Sequence, residues 1–234
     1  MSLPASASAA GSEPSCYSRL VNDWVCADYL RDRSGEVIAA TGEHLWITLA
    51  SVTLGLVLAL PAAVLARRTP RMEALILSFS TGLYTIPSLA LFPLLVPFTG
   101  LTPWTVILGL AAYALTILVR SALEGLNSVP ADVVESARGL GYGPGRLLTR
   151  VELPLALPVI FAGLRVATVS TVALTTVGTL VSYGGLGNLI KDGVDSNFRA
   201  ELLTAAVLCV LLAVVLDLVL VASQRLVTPW AKVS

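Results

Sequence analysis

Charge is scarce in this chain. Only 13% of its 234 residues are Asp, Glu, Lys or Arg, about half the share usual in soluble domains. Fifteen basic residues cancel fifteen acidic ones, so there is no cationic excess to neutralise a phosphate backbone, and nucleic acid is set aside as a partner. Histidine occurs once, at His44 near the start of an apolar run, with no nucleophile-and-base arrangement or metal-ligand cluster around it; enzyme chemistry and a metal site have no candidates. There is no GxxxxGK[ST] phosphate loop, and Gly139-Leu140-Gly141-Tyr142-Gly143 neither follows a strand nor opens a dinucleotide fold. Cysteine is limited to Cys16, Cys26 and Cys209, none at CxxC spacing, which reads as three isolated thiols. A Cys16–Cys26 disulfide is the alternative on an oxidising side of a membrane.

What the chain has in abundance is apolar sequence, 56% hydrophobic with a mean hydropathy of +0.83. Lipid is therefore the solvent for much of it. A crossing helix needs about 20 apolar residues, because backbone groups inside hydrocarbon must pair within the segment. Five crossings are expected: His44 to Ala66, two within Ala74 to Val119 divided at Thr99-Gly100-Leu101-Thr102-Pro103, Leu155 to Val181, and Leu202 to Gln224. Arg67, Arg68 and Arg71, then Arg120, Arg138, Arg146 and Arg150, then Arg225 and Lys232 fall on alternate connections. Basic loops stay cytoplasmic, so the N-terminus is expected outside and the C-terminus inside. Residues 1–43 read as an extracytoplasmic tail, whose first fifteen residues lack the basic start and apolar run of a secretory signal and read as disordered. Within it Tyr17, Leu20, Val21, Trp24 and Val25 recur at helical spacing beside Asp23 and Asp28, predicting a short helix on the outer membrane surface or a receptor contact. Residues 44–226 form the membrane domain and 227–234 a cytoplasmic tail.

The connection NSVPADVVESARGLGYGPGRLLTRVELP, residues 127–154, carries the strongest local signals. Ser128 as a cap, Pro130 in the first turn, and Asp132 and Glu135 near the positive end of the helix dipole predict a helix starting near Pro130. Val133, Val134, Ala137 and Leu140 make one apolar face, glycines 139, 141, 143 and 145 with Pro144 predict a tight bend, and Arg146 opens a second helix. The helix, corner and helix suit either a partner's groove or the inner leaflet.

The spacing of Glu135-Ser136-Ala137, Gly141, Val151, Leu153 and Pro154 resembles the cytoplasmic signature of ABC importer permeases, with Ser136 in place of the central alanine. The resemblance covers roughly residues 41–225. It implies an all-α, polytopic, methionine-permease-like type I importer domain in the inner membrane, whose loop is the coupling helix seated in a separate ATPase. Coupling roles fall by resemblance on Glu135, Ser136, Ala137, Arg138, Gly141 and Tyr142, with Gly141 allowing the bend and Glu135 pairing with the ATPase. Thr85 to Leu95, Val151 to Arg165 and Tyr183 to Ile190 are similar to permeases for quaternary-ammonium osmoprotectants such as glycine betaine, choline and carnitine, the last stretch also to methionine permeases. The implied partners are two ATPase subunits carrying ATP and magnesium, a second permease subunit, identical or paralogous, an extracytoplasmic binding protein and membrane lipid. This chain itself needs no cofactor. A passive channel or membrane anchor is the rival class.

Arg165 and Asp217 are the formally charged residues deep in expected spans, costly there unless paired or wetted. At 1.5 Å per residue they lie roughly 16 Å past Pro154 and roughly 12 Å before Arg225. They either pair or face water and headgroups independently. Tyr183, Gly184, Gly185, Leu186, Gly187 and Asn188 occupy an expected outer loop, 182–197, as a gating element or a plain tight turn. Thr175, with Thr168, Ser170, Thr171, Thr176 and Thr179, gives the fourth span either a polar pathway or close helix packing. The aromatics Trp46, Trp104, Tyr84, Tyr113 and Trp230 are scattered, with no cage for a quaternary ammonium. Solute recognition is accordingly expected in the binding protein.

Overall fold

The structure is a computed structural model, described here for residue 16 and residues 21–230. Twelve helical segments follow one another, and no strand occurs among the described residues. The helices are α1 (Ala27–Asp32), α2 (Ser34–Ala66), α3 (Pro70–Thr85), α4 (Ser88–Thr99), α5 (Pro103–Asn127), α6 (Ala131–Gly139), α7 (Pro144–Leu147), α8 (Leu153–Thr175), α9 (Leu186–Asp195) and α10 (Arg199–Val227). A π-turn, Leu148–Glu152, joins α7 to α8, and a 3₁₀ turn, Thr176–Val181, continues α8.

Four of these stretches are long and apolar enough to cross a bilayer, and a fifth is so if α3 and α4 count as one broken span. That span departs from expectation: its halves bend by 99°. The cause is Pro87, which holds Ile86 extended (φ −70°, ψ 123°) and donates no amide hydrogen. The next division falls where the turn residues put it. Gly100 takes φ +72°, α5 opens on Pro103, and the Thr105 hydroxyl donates to the Gly100 carbonyl at 2.6 Å.

The first span is longer than expected, starting at Ser34 rather than His44. Nothing between Gly35 and Glu43 breaks a helix, so α2 continues beyond the apolar run, across residue 43. The short outer helix is also displaced. Tyr17 and Leu20 lie outside the described residues, whereas residues 21–26 are irregular and the helix begins at Ala27, capped by the Cys26 sulfur. Cys16 and Cys26 form a disulfide, so they are not isolated thiols. Asn22, at φ +46°, donates to the Asn197 carbonyl (2.8 Å) and accepts from the Arg199 amide (3.0 Å). A residue held that way cannot sit inside a helix.

α5 is the hub: 67% of its most apolar window is buried inside the protein, against 11% for α10. It packs between α2 and α8 through small residues, as membrane helices do where hydrophobicity cannot separate protein from lipid. Added methyls at Gly55 and Gly125 would lie 3.1 Å from the Ala114 Cβ and 2.9 Å from the Ala156 carbonyl.

Candidate functional site

The 127–154 connection folds as a rigid unit. Pro130 is the N-cap of α6 by backbone position alone, while Ser128, expected to cap it, instead closes α5 by donating to the Gly125 carbonyl at 2.8 Å. At the other end Gly141 stands at φ +84°. Its amide donates to the Arg138 carbonyl (2.9 Å) and the Tyr142 amide to the Ala137 carbonyl (3.1 Å). That pair of bonds is a Schellman closure, which requires a left-handed residue after the helix and so favours glycine. The second helix opens at Pro144, two residues before Arg146, and the π-turn that follows is a form concentrated at functional sites.

The corner leaves a concavity of about 340 Å³ lined by Asp132, Val133, Ser136, Ala137, Leu140, Tyr142 and Val151. Ala137 is buried at its base, while Leu140 is 80% exposed. Val133 and Val134 are half-buried, so the expected apolar ridge is real but its tip is Leu140. Glu135, Ser136 and Arg138 are exposed, and Glu135 and Arg138 make no side-chain hydrogen bond or ion pair among the described residues. Their charges are free to meet another surface. The Arg146 guanidinium sits 5.0 Å from the centre of the Tyr142 ring, bracing the corner.

At the base of this unit Glu152 is 7% exposed and accepts from the Arg67 guanidinium at 3.0 Å. The contact joins the π-turn to the end of α2. No sequence signal singled out Glu152; an acidic residue one position before the Leu-Pro that opens a span was the available clue. Trp230 arrives beside Arg150, Pro154 and Leu155 at the same level.

In the membrane region the two charges meet. Arg165 Nε and Nη2 donate to the two carboxylate oxygens of Asp217 at 2.7 and 2.8 Å. The bidentate fork ties α8 to α10. Both side chains remain about a third accessible on the face of this single chain.

The stretch expected as an outer loop is mostly α9, and its glycine turn is buried against α2. Gly184, Gly185, Leu186 and Gly187 are buried, and Tyr183 and Asn188 half-buried. Gly185, at φ +55° and ψ −119°, lies so close to α2 that an added methyl would come within 2.6–2.7 Å of His44 Cβ, Cα and N. Its amide donates to Glu43 Oε1 at 3.2 Å, and the Gly184 amide to Asn188 Oδ1 at 3.2 Å. His44 is fully buried and donates through Nε2 to the Val172 carbonyl at 3.0 Å. Thr175 is fully buried 3.1 Å from the Thr48 hydroxyl. It lines no surface of this single chain. Gly185→Ala is expected to lower thermal stability in detergent, since both the backbone angle and the His44 contact forbid a side chain; scanning fluorimetry checks this.

Tyr84 and Tyr113, apart in sequence, stack edge-to-face at 5.6 Å beside the broken span. The Tyr113 hydroxyl donates to the Ile86 carbonyl freed there. One such pair is not a cage.

The chain is a polytopic bundle of membrane-spanning helices with one braced loop at its end. Residues 51–233 match the family described as binding-protein-dependent transport system inner membrane component, and the chain belongs to that family. It is 32% identical to the glycine betaine/carnitine/choline transport system permease protein OpuCB of Bacillus subtilis, over 86% of this chain and 93% of that one. It is 34% identical to the osmoprotectant import permease protein OsmW of Salmonella typhimurium, over 86% and 96%. The fold is that of the permease in inward-facing structures of the MetNI methionine ABC transporter, with a TM-score of 0.77 at 23% identity over 84% of this chain and 98% of the other.

Proposed function

We propose that this chain is the permease subunit of an ATP-driven importer for a quaternary-ammonium osmoprotectant such as glycine betaine, choline, carnitine or proline betaine. The observation that carries the solute class is the near full-length similarity to permeases named for those solutes. The coupling role rests on the loop, whose Schellman corner presents Leu140 and unpaired Glu135 and Arg138 to a cleft in an ATPase subunit. ATP and magnesium belong to that subunit, and this chain holds no cofactor.

Two permease chains, two ATPases and an extracytoplasmic binding protein form the assembly in this reading. A second permease gives the Arg165–Asp217 pair, about a third accessible, a protein neighbour in place of lipid that cannot solvate it. Counting α3 with α4 as one span, the arginine distribution supports an N-terminus outside and a 127–154 loop and C-terminus in the cytoplasm. The buried 183–188 turn is then an outer joint that fixes the mouth of the passage.

Reconstituted permease, ATPase and binding protein are expected to take up choline or glycine betaine with ATP, and to fail with an ATPase whose Walker lysine is replaced. Uptake of methionine and not of the quaternary ammonium solutes favours the alternative, an amino-acid-type importer suggested by the fold neighbour. Persistent uptake without hydrolysis refutes active import altogether.

A further inference from the structure

We propose that α2 is the strut carrying the movement of the coupling loop to the outer side of the membrane, with Arg67–Glu152 as its lower joint and Glu43–His44 as its upper one. The inference rests on the coupling role assigned above to the loop.

The loop has an evident covalent route into the membrane, through the π-turn into α8. The structure adds a second. Glu152 is the last residue of the π-turn, and its buried carboxylate is held by the guanidinium that ends α2. A buried carboxylate with a single guanidinium partner transmits force because separating the two leaves an uncompensated charge. Apolar packing backs the joint, as Ala63 and Ala66 of α2 share one buried cluster with Leu126, Ala156 and Ile160. Small side chains there allow sliding, whereas the ion pair sets a fixed register.

At its other end α2 is fastened just as specifically. Glu43 accepts the Gly185 amide, the His44 ring donates to the Val172 carbonyl, and the Gly185 backbone rests on the His44 backbone. Between the joints run 24 residues of continuous helix, roughly 36 Å at helical rise. A displacement of the π-turn therefore reaches the glycine turn before α9 through one rigid element, without passing through the broken α3–α4 span. Pro61, six residues before the lower joint, removes one backbone donor from α2 without dividing the helix.

Linkage makes such a strut work in both directions. Closure of the ATPases shifts the outer turn, and docking of the loaded binding protein outside is felt by the ATPases. Arg67 and Glu152 are accordingly positioning residues for coupling.

The test uses the whole reconstituted importer, measuring ATP hydrolysis with and without loaded binding protein, uptake per ATP, and ATPase co-purification. Arg67→Gln and Glu152→Gln are expected to keep the ATPase bound while binding-protein stimulation of hydrolysis and uptake per ATP fall by roughly fivefold or more. Arg67→Lys and the exchanged pair Arg67→Glu with Glu152→Arg are expected to recover much of both. Unchanged stimulation and uptake per ATP in complexes that retain the ATPase overturn the strut. So does a parallel loss of yield and activity that neither Arg67→Lys nor the exchange rescues, since the pair is then purely structural. Failure of the loop reading shows separately: substitutions at Glu135 and Leu140 leave ATPase co-purification intact.

Discussion

Gly141→Val is expected to remove ATPase co-purification and cut uptake at least about tenfold, while Gly141→Asn retains most of both. The glycine stands at φ +84°, where an ordinary side chain costs about 1–2 kcal/mol and a β-branched one more, and asparagine is the best tolerated substitute. Nothing lies within 4 Å of the methyl that would be added. The loss is thus conformational and not a clash: without the left-handed turn the Tyr142 and Gly141 amides release the Ala137 and Arg138 carbonyls, and Leu140 and Tyr142 leave their shared concavity. Because the loop is exposed, the membrane helices should stay folded. Equal behaviour of Val and Asn in a pull-down and uptake assay would refute this account of the corner.

Asp217→Leu is expected to destabilise the permease by about 3 kcal/mol, the usual cost of a lone arginine in the bilayer centre, read as a lower detergent melting temperature and poor membrane yield. Asp217→Asn should be nearly as damaging, since one amide cannot replace the two charge-assisted bonds that Arg165 now makes at 2.7 and 2.8 Å. Joint replacement, Arg165→Leu with Asp217→Leu, is expected to be far milder than either single change, because it removes the charge along with its partner. Additive losses in that double variant would show that the pair contributes no coupling energy.

Local chemistry in this chain was legible wherever one short segment decides the outcome. The turn at Gly100 to Pro103 and the loop's helix, corner and helix all follow from residues within a few positions of one another. Where expectation failed, a local signal was outweighed or unreadable. The Thr85 to Leu95 stretch looked like part of a plain span, yet Pro87 breaks it by 99°. Glycines 184, 185 and 187 were readable as a gating element or a tight turn, but not their close backbone contact with α2 and the 3₁₀ turn. Ser128 carried a capping signal for α6 but lies two positions before its N-cap, Pro130, and closes α5 instead.

By itself the sequence determined the solvent, the number of apolar stretches and the form of the docking loop, because hydrophobic length and capping chemistry act within a turn or two of helix. Only the tertiary structure decided which distant groups meet. Arg165 finds Asp217 across 52 positions, Arg67 finds Glu152 across 85, His44 finds Val172 across 128 and Gly185 finds Glu43 across 142. Those meetings depend on the depth, rotation and crossing of whole helices, which are set by how small residues on α2, α5 and α8 interlock. Periodicity along one chain segment gives the face of a helix, and the partner of that face exists only once the bundle has packed.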